Sequence, residues 1–458
     1  MFSSITKETI LKYDIPGPRY TSYPTAPEWS TQVKGPLYRA KLLDLAKSDK
    51  TLSVYIHIPF CQSLCYFCAC TVVIREHNEK YADEYLNSLE KEMDMVCRLL
   101  GKRKTIRQLN WGGGTPNYLS GNQMKRLFTK IQQSFEIDFQ GEIAVEIDPR
   151  TIDRHQVQTL RALGFNRISL GVQDFDSKVQ NAVHRIQPFE MVRDVTGWCR
   201  ELNFHSINYD LVYGLPHQSG ESFKTTLEKV IRLKPDRIAL YSFAYVPWLK
   251  KHQNKLEPET LPGNDEKLEI FFQAREQFLK NGYQAIAMDH FALETDELAK
   301  AFQEGSLYRN FMGYTVKPAD EFLGFGVSAI GFFEETFVQN YKTLPQYYRS
   351  LRNDELPVER GKTLSLDDQM RQWVISQLMC RFEIDRREFQ KRFSVDFDRY
   401  FAEEKEHLDR CVSDGLLVLS NGKVQATNLG KIFIRNVCMG FDWYLRQKNA
   451  HRSFSRTV

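Results

Sequence analysis

Six apolar, β-branched runs, at 52–60, 108–112, 142–149, 167–173, 206–216 and 236–247, follow one another along the first half of the chain, and most are succeeded by a stretch of helical periodicity. After the first run, Tyr81, Tyr85, Leu89, Met93, Val96 and Leu100 recur on one helical face. Later helical stretches pass through Leu127, Ile131 and Phe135, over 156–163, on either side of Pro188, and over 221–233. Strands that alternate with helices run parallel, because each crossover returns the chain to the same edge with a right-handed turn. The pattern predicts an α/β fold, a partial and open TIM-like barrel of six parallel βα units. In such a barrel the chemistry collects at the carboxyl ends of the strands.

Residues with chemical character stand at those ends. Cys61 follows the first run and Gly112-Gly-Gly-Thr-Pro116 the second; Glu146-Ile-Asp148-Pro149 closes the third and Gln173-Asp174 the fourth; Asp210 and Gly214-Leu-Pro216 belong to the fifth, Ala244 and Pro247 to the sixth. Each alone reads equally well as a turn or a helix cap. Their common rim points to a site.

At that rim Cys61, Cys65 and Cys68 have C-x3-C-x2-C spacing, with Cys70 two residues further on. Three thiolates in one short loop can ligate three irons of a four-iron cluster, leaving the fourth open for a small molecule. Zinc is disfavoured, since its cysteines usually come as separated pairs, and four cysteines in ten residues are too many for core packing. The spacing resembles the signature of radical S-adenosylmethionine enzymes, whose open iron chelates the cofactor's amino and carboxylate groups.

Nine cysteines in 458 residues, five of them single, and an N-terminus without an apolar signal core fit a reducing compartment, read as the cytoplasm. No apolar run approaches the ~20 residues that span a bilayer. A net charge of +4 spread over both signs gives no case for nucleic acid. The 31 Phe, 21 Tyr and 6 Trp suit a large core and a pocket for a flat ligand.

Nine segments carry a closer resemblance: Pro18-Arg-Tyr-Thr-Ser-Tyr-Pro24, Tyr55-Ile-His-Ile-Pro-Phe-Cys61, Cys65-Tyr-Phe-Cys68, Trp111-Gly-Gly-Gly-Thr-Pro116, Glu146-Ile-Asp-Pro-Arg150, Gly171-Val-Gln-Asp-Phe175, Asp210-Leu-Val-Tyr-Gly-Leu-Pro216, Met288-Asp-His-Phe291 and Phe441-Asp-Trp-Tyr-Leu445. In this order, they resemble the oxygen-independent coproporphyrinogen III oxidases. The resemblance implies a [4Fe-4S] cluster on Cys61, Cys65 and Cys68 and two S-adenosylmethionines in one site. Tyr55, Gly113, Glu146 and Ile330 would contact the one on iron; Phe67, Gly114, Thr115, Gln173, Arg185, Asp210 and Ala244 would surround the second. Tyr55, Glu146 and Cys70 are the implied catalytic residues. The implied reaction starts with reductive cleavage to a 5′-deoxyadenosyl radical, which takes a hydrogen from a propionate of coproporphyrinogen III. Loss of carbon dioxide and one electron leaves a vinyl group, and a second round yields protoporphyrinogen IX. A low-potential electron donor protein, flavodoxin- or ferredoxin-like, and a monomeric enzyme are further implications. Two other readings are the related haem chaperone, against which Cys70 and the 18–24 arm argue, and a non-catalytic metal scaffold, which leaves the glycine triplet unexplained.

Ala69 stands where the family would have glycine. The stretch Gly324-Phe-Gly326 imitates a dinucleotide fingerprint but lies far from the first strand–helix unit, so it reads as cofactor-wall backbone. His290, Arg309 and Tyr314 are candidates to meet substrate carboxylates, against the plainer reading of structural partners. Ser365 and Asp368 are placed as a capping box that opens a last unit, with helices at 370–380 and 397–411 and a hairpin at 416–426 turning on Asn421-Gly422. Helices plus a hairpin also fit a winged helix, with Arg446, Lys448, Arg452 and Arg456 as DNA contacts; the interleaved acids at 383–388 and 403–409 favour a lid over the barrel mouth. The expected organisation is an N-terminal arm at 1–45, a catalytic domain at 46–355 and a mainly helical lid domain at 360–458.

Overall fold

A computed structural model describes residues 12–447, 454 and 456; Lys448 and Arg452, and residues 1–11 of the expected arm, lie outside the described residues. After helix α1 (Gly35–Ala46), strand and helix alternate: β1 (Leu52–Ile58), α2 (Glu79–Leu100), β2 (Thr105–Gly113), α3 (Gly121–Ser134), β3 (Glu136–Ile147), α4 (Arg154–Ala162), β4 (Arg167–Gln173), α5 (Phe189–Glu201), β5 (Ser206–Tyr213), α6 (Gly220–Leu233) and β6 (Arg237–Ser242). All five strand pairings from β1 to β6 are parallel. β1 is buried on both faces, as a helix-covered parallel strand must be. Val54, Ile56 and Ile58 share one core with Tyr85, Leu89, Met93 and Val96 of α2. Tyr81, expected on that face, is instead 41% exposed and lies under the Arg75 guanidinium. Capping boxes at Ser120–Gln123, Asp153–Gln156 and Ser219–Ser222 start α3, α4 and α6 by satisfying the first free N–H groups.

The chain continues through α7 (Asn264–Lys280), β7 (Tyr283–Ala287), β8 (His290–Leu293), β9 (Glu321–Phe325), β10 (Ile330–Phe333), β11 (Thr336–Asn340) and β12 (Val358–Thr363). The sheet has twelve strands in the order β12-β11-β10-β9-β1-β2-β3-β4-β5-β6-β8-β7 and stays open. Thus a seventh parallel strand, β9, pairs with β1 from Leu52↔Glu321 to Ile56↔Phe325, and antiparallel strands extend both edges. The fingerprint-like Gly324 sits in β9, where a Cβ would lie 2.1 Å from the Ile330 carbonyl oxygen.

Beyond the Ser365–Asp368 capping box, α8 (Leu366–Arg381) leads to a three-stranded sheet, in which β13 (Glu383–Asp385) and β14 (Leu417–Ser420) flank β15 (Lys423–Ala426). Asn421 and Gly422 both have positive φ, as the hairpin turn requires. The helix expected over 397–411 is broken. It runs Phe397–Tyr400, tightens to a 3-10 turn at Ala402–Glu404 and resumes at Lys405–Ser413. At the break, Phe401 packs edge-on against Phe441 and Glu404 turns inward to Arg371 at 2.8 Å.

A second core joins Met370, Val374 and Leu378 of α8 to Tyr13, Tyr20 and Tyr23 of the arm and to Ile286 and Ala287 of β7. The arm is fastened from both sides: Tyr20 donates to Asp442 at 3.0 Å, Arg435 to the Pro18 carbonyl at 2.9 Å, and Arg19 pairs with Asp289. Pro16 also bridges to Arg456, whose guanidinium donates to the Asp14 side chain at 2.6 Å.

Candidate active site

β1 ends at Ile58, short of the expected Phe60, and the next residues turn away at the carboxyl ends of the strands. Phe60–Cys61 and Val73–Ile74 form a two-residue parallel pair that closes the cysteine loop at its base. Within it Cys68 N–H donates to the Cys65 carbonyl at 3.1 Å, and Arg75 N–H to that of Cys61 at 3.0 Å. His57, on β1, reaches the loop from below, its Nε2 3.1 Å from the Thr71 carbonyl and its Nδ1 3.1 Å from the Tyr55 hydroxyl. Burial lowers its pKa to about 4. The ring is therefore neutral, and because Thr71 offers only an acceptor, the proton sits on Nε2 and Nδ1 accepts from Tyr55.

Cys61, Cys65, Cys68 and Cys70 line one cavity of about 160 Å³, together with Phe67, Gly113, Gly114, Thr115, Glu146, Gln173, Arg185 and Asp210. The expected site residues are thus brought together with three exceptions. Ala244 lines a neighbouring cavity of about 740 Å³, joined to the first through Gln253, which donates to both the Ala244 and the Phe67 carbonyls. Tyr55 faces His57, and Ile330 opens β10 opposite Gln339; neither lines either cavity.

The glycine triplet is set by crowding. At Gly113 (φ 117°) a Cβ would stand 2.7 Å from the His57 ring, and at Gly112 it would stand 2.6 Å from Glu146 Oε1. Gln173, a non-glycine at φ 66°, holds a left-handed conformation at the cavity wall.

Glu146 accepts from Gly113 N–H at 3.4 Å and Asn110 at 3.5 Å. Burial, and then the neighbouring charge of Asp210, pushes its carboxyl up to about 7. Asp210 accepts from Ser169 at 3.1 Å and Asn208 at 2.9 Å; burial raises it too. Burial thus favours their protonated forms, and a cationic or hydrogen-donating group beside them would favour the ionised ones.

Arg185 departs from its expected use. Its fork is already taken by Asp148, at 3.3 Å for each nitrogen, and Nη2 also donates to the Gly171 carbonyl at 2.7 Å. Its Nε is buried without a partner. Asp148 also binds Arg150 at 2.7 Å, and the two guanidinium groups point at Cys65 Sγ from 3.4 and 3.5 Å. This triad was missed as a unit, although Asp148 and Arg150 stand in the quoted Glu146–Arg150 motif. His57 was likewise missed, its signal being a polar residue inside an apolar strand.

The donor set fits an iron–sulfur cluster. Cys61, Cys65 and Cys68 are unpaired in disulfides and share a cavity wall, with two cations set against one sulfur. The nearness of Cys68 and Cys70 holds the Cys68 thiol below its usual range and the Cys70 thiol above it. Among the described residues no three His, Cys, Asp or Glu side chains are grouped to ligate a single metal ion.

Arg309 proves to be a structural partner, donating to the Arg19 and Tyr20 carbonyls at 2.7 and 3.0 Å. Tyr314 donates to the Met379 carbonyl at 3.1 Å, while His290 binds Asp289 at 2.8 Å. His290 and Tyr314 line the polar lumen beneath Glu146 and Asp210.

Parallel strands with a three-cysteine loop after the first and a rim of glycines and carboxylates beyond it define a radical S-adenosylmethionine enzyme, and residues 55–230 match the profile of the Radical SAM superfamily. Residues 364–433 match that of the HemN C-terminal domain. The chain is 43% identical to the oxygen-independent coproporphyrinogen III oxidase of Synechocystis sp., over 98% of this chain and 97% of that one. To the Escherichia coli oxidase it is 42% identical, over 98% and 97%. The solved structure of the Escherichia coli coproporphyrinogen III oxidase, described as a radical SAM enzyme, superposes with a TM-score of 0.90 at 40% identity, covering 93% of this chain and 98% of the other. The chain belongs to the oxygen-independent coproporphyrinogen III oxidase family.

Proposed function

We propose that this chain converts coproporphyrinogen III to protoporphyrinogen IX by oxidative decarboxylation of two propionate side chains to vinyl groups. The reading rests on one observation above all: in a chain related from end to end to these oxidases, the three cysteines open onto the same cavity as Glu146, Asp210 and the glycine triplet. When bound, the cluster and S-adenosylmethionine supply an electron and a hydrogen-abstracting radical. The protein's own residues bind, orient and exclude water.

Cys61, Cys65 and Cys68 would hold the cluster. Glu146 and the Gly113 backbone would take the first S-adenosylmethionine, with Tyr55 and Ile330 acting from behind the cavity wall. Phe67, Gly114, Thr115, Gln173, Arg185, Asp210 and Ala244 would take the second, Arg185 through its free Nε rather than its fork. Cys70, protonated beside Cys68, would serve as a thiol near the substrate and not as a fourth ligand. The larger cavity beside Ala244, lined by Phe243, Tyr245 and Trp248 together with Lys267 and Arg456, offers apolar walls and positive charge to a macrocycle bearing carboxylates.

Residues 46–355 would form the catalytic domain and 360–458 the lid of a monomeric enzyme served by a low-potential electron carrier. Cysteines free of disulfides support a reducing compartment, the cytoplasm, as its place. Anaerobic turnover of coproporphyrinogen III with dithionite and S-adenosylmethionine, read by mass, tests the proposal. Two successive losses of carbon dioxide are expected, and no vinyl product from a protein with its full iron would refute it.

A further inference from the structure

Three segments around the cysteine loop carry charged side chains of one sign only. Segments 61–75, 177–189 and 242–256 contain no Asp or Glu, in a chain that has 58. The three segments meet: Tyr66 N–H donates to the Val183 carbonyl at 3.0 Å, His184 Nδ1 lies 2.9 Å from the Leu64 carbonyl, Lys250 donates to the Cys70 carbonyl at 3.1 Å, and His252 lies 2.8 Å from that of Cys68. Lys255 stands 4.9 Å over the Tyr66 ring. Lys251 and Lys255 are exposed, and beside them Trp248 and Leu249 are each 68% exposed. Lys342 extends the positive field, within electrostatic reach of Lys250 and Arg360, with Glu359 opposing them.

An apolar pair ringed by lysines is the pattern of a surface that meets an acidic protein. It lies one hydrogen bond from the backbone of Cys68 and Cys70. Electron transfer falls steeply with distance, and a carrier seated there would be separated from the cysteine loop only by the side chains that bond its backbone. Trp248 also lines the cavity beside Ala244, whereas Leu249, Lys250, Lys251 and Lys255 do not, so these lysines are not placed to hold an anionic macrocycle there.

We propose that this lysine-rich surface, centred on Lys250, Lys251 and Lys255, docks a small acidic one-electron carrier protein that reduces the cluster on Cys61, Cys65 and Cys68. The proposal rests on the function proposed above. In the complex one electron leaves the carrier, which is oxidised, and enters the cluster, which is reduced; no atom is transferred.

The test uses the double variant Lys251→Glu, Lys255→Glu and a bacterial flavodoxin as the probe. Binding of flavodoxin is measured by titration calorimetry without turnover, at low and high salt. Activity is measured separately with dithionite and with reduced flavodoxin. The expected result is binding to the wild type that weakens with salt, a loss of about tenfold or more in affinity in the variant, slowed flavodoxin-driven turnover and unchanged dithionite-driven turnover. Equal affinity of both proteins would overturn the docking surface. So would an equal loss of dithionite-driven turnover, which would assign the lysines to the substrate. Failure of the wild type with dithionite would instead refute the proposed function, and the binding measurement would still judge the surface.

Discussion

Glu146 offers the sharpest test of how the cavity binds its cofactor. Its carboxyl titrates near 7 because burial and Asp210 both oppose the charge. A cationic cofactor beside it would favour the ionised form, so binding releases a proton whenever Glu146 was protonated beforehand. The sign follows: affinity rises with pH up to about 7 and levels off above. At pH 6 roughly ten of every eleven molecules carry the proton and at pH 8 roughly one in eleven, so affinity should fall about tenfold from pH 8 to pH 6, or about 1.4 kcal/mol. Glu146→Gln keeps the shape beside Gly112 but cannot titrate. Equilibrium dialysis of labelled S-adenosylmethionine against anaerobically reconstituted protein, from pH 6 to 8, measures both. Titration of the cofactor's own amine cancels in the ratio of wild type to variant. Parallel pH profiles would refute the assignment of Glu146 as the charged contact.

Alanine at Cys61, Cys65 or Cys68 should abolish a content of about four irons per chain, whereas Cys70→Ser should keep the iron and the visible spectrum but slow decarboxylation; loss of the cluster in Cys70→Ser would make it a ligand. Asp210→Ala should lower the S-adenosylmethionine bound at saturation from two to one per chain without loss of iron, and an unchanged stoichiometry of one would dismiss the second site. Arg185→Ala strips one of two cations from buried Asp148 and should lower unfolding free energy by roughly 1.5–3 kcal/mol, read in urea. Glu92, fully buried beneath Gly326, Asn340 and Tyr347, is raised by burial from 4.5 to about 7. Its stabilisation is full below pH 4.5 and is lost as the unfolded chain ionises first, by roughly 3 kcal/mol on reaching pH 7. The pH slope of stability should flatten in Glu92→Gln, and an unchanged slope would contradict the raised value.

The six parallel strands were legible because each carries its own apolar run, and the rim residues because strand ends mark where the chain turns. The runs were read too long at 60, 149, 216 and 247, since apolar and proline residues there belong to the turns that build the site. β9 was not legible. Its place beside β1 is a pairing across about 270 residues, which no local periodicity encodes, and its glycines imitate another motif. Neither was the break at Phe401, where tertiary packing of an aromatic ring overrides helical continuity. In the site, residue types predicted the neighbourhood but not the pairing: whether Arg185 keeps its fork for a ligand or gives it to Asp148 depends on how β3 and the loop after β4 approach each other.

The bridge between Pro16 and Arg456 bears on the order in which the molecule is built. Pro16, Phe454 and Arg456 stand together in the wall of the large cavity, so that wall cannot exist until ribosomal synthesis has passed residue 456. The cysteine loop and the strands behind it emerge hundreds of residues sooner. The wall beside the large cavity is thus the last part of the site that the chain can complete.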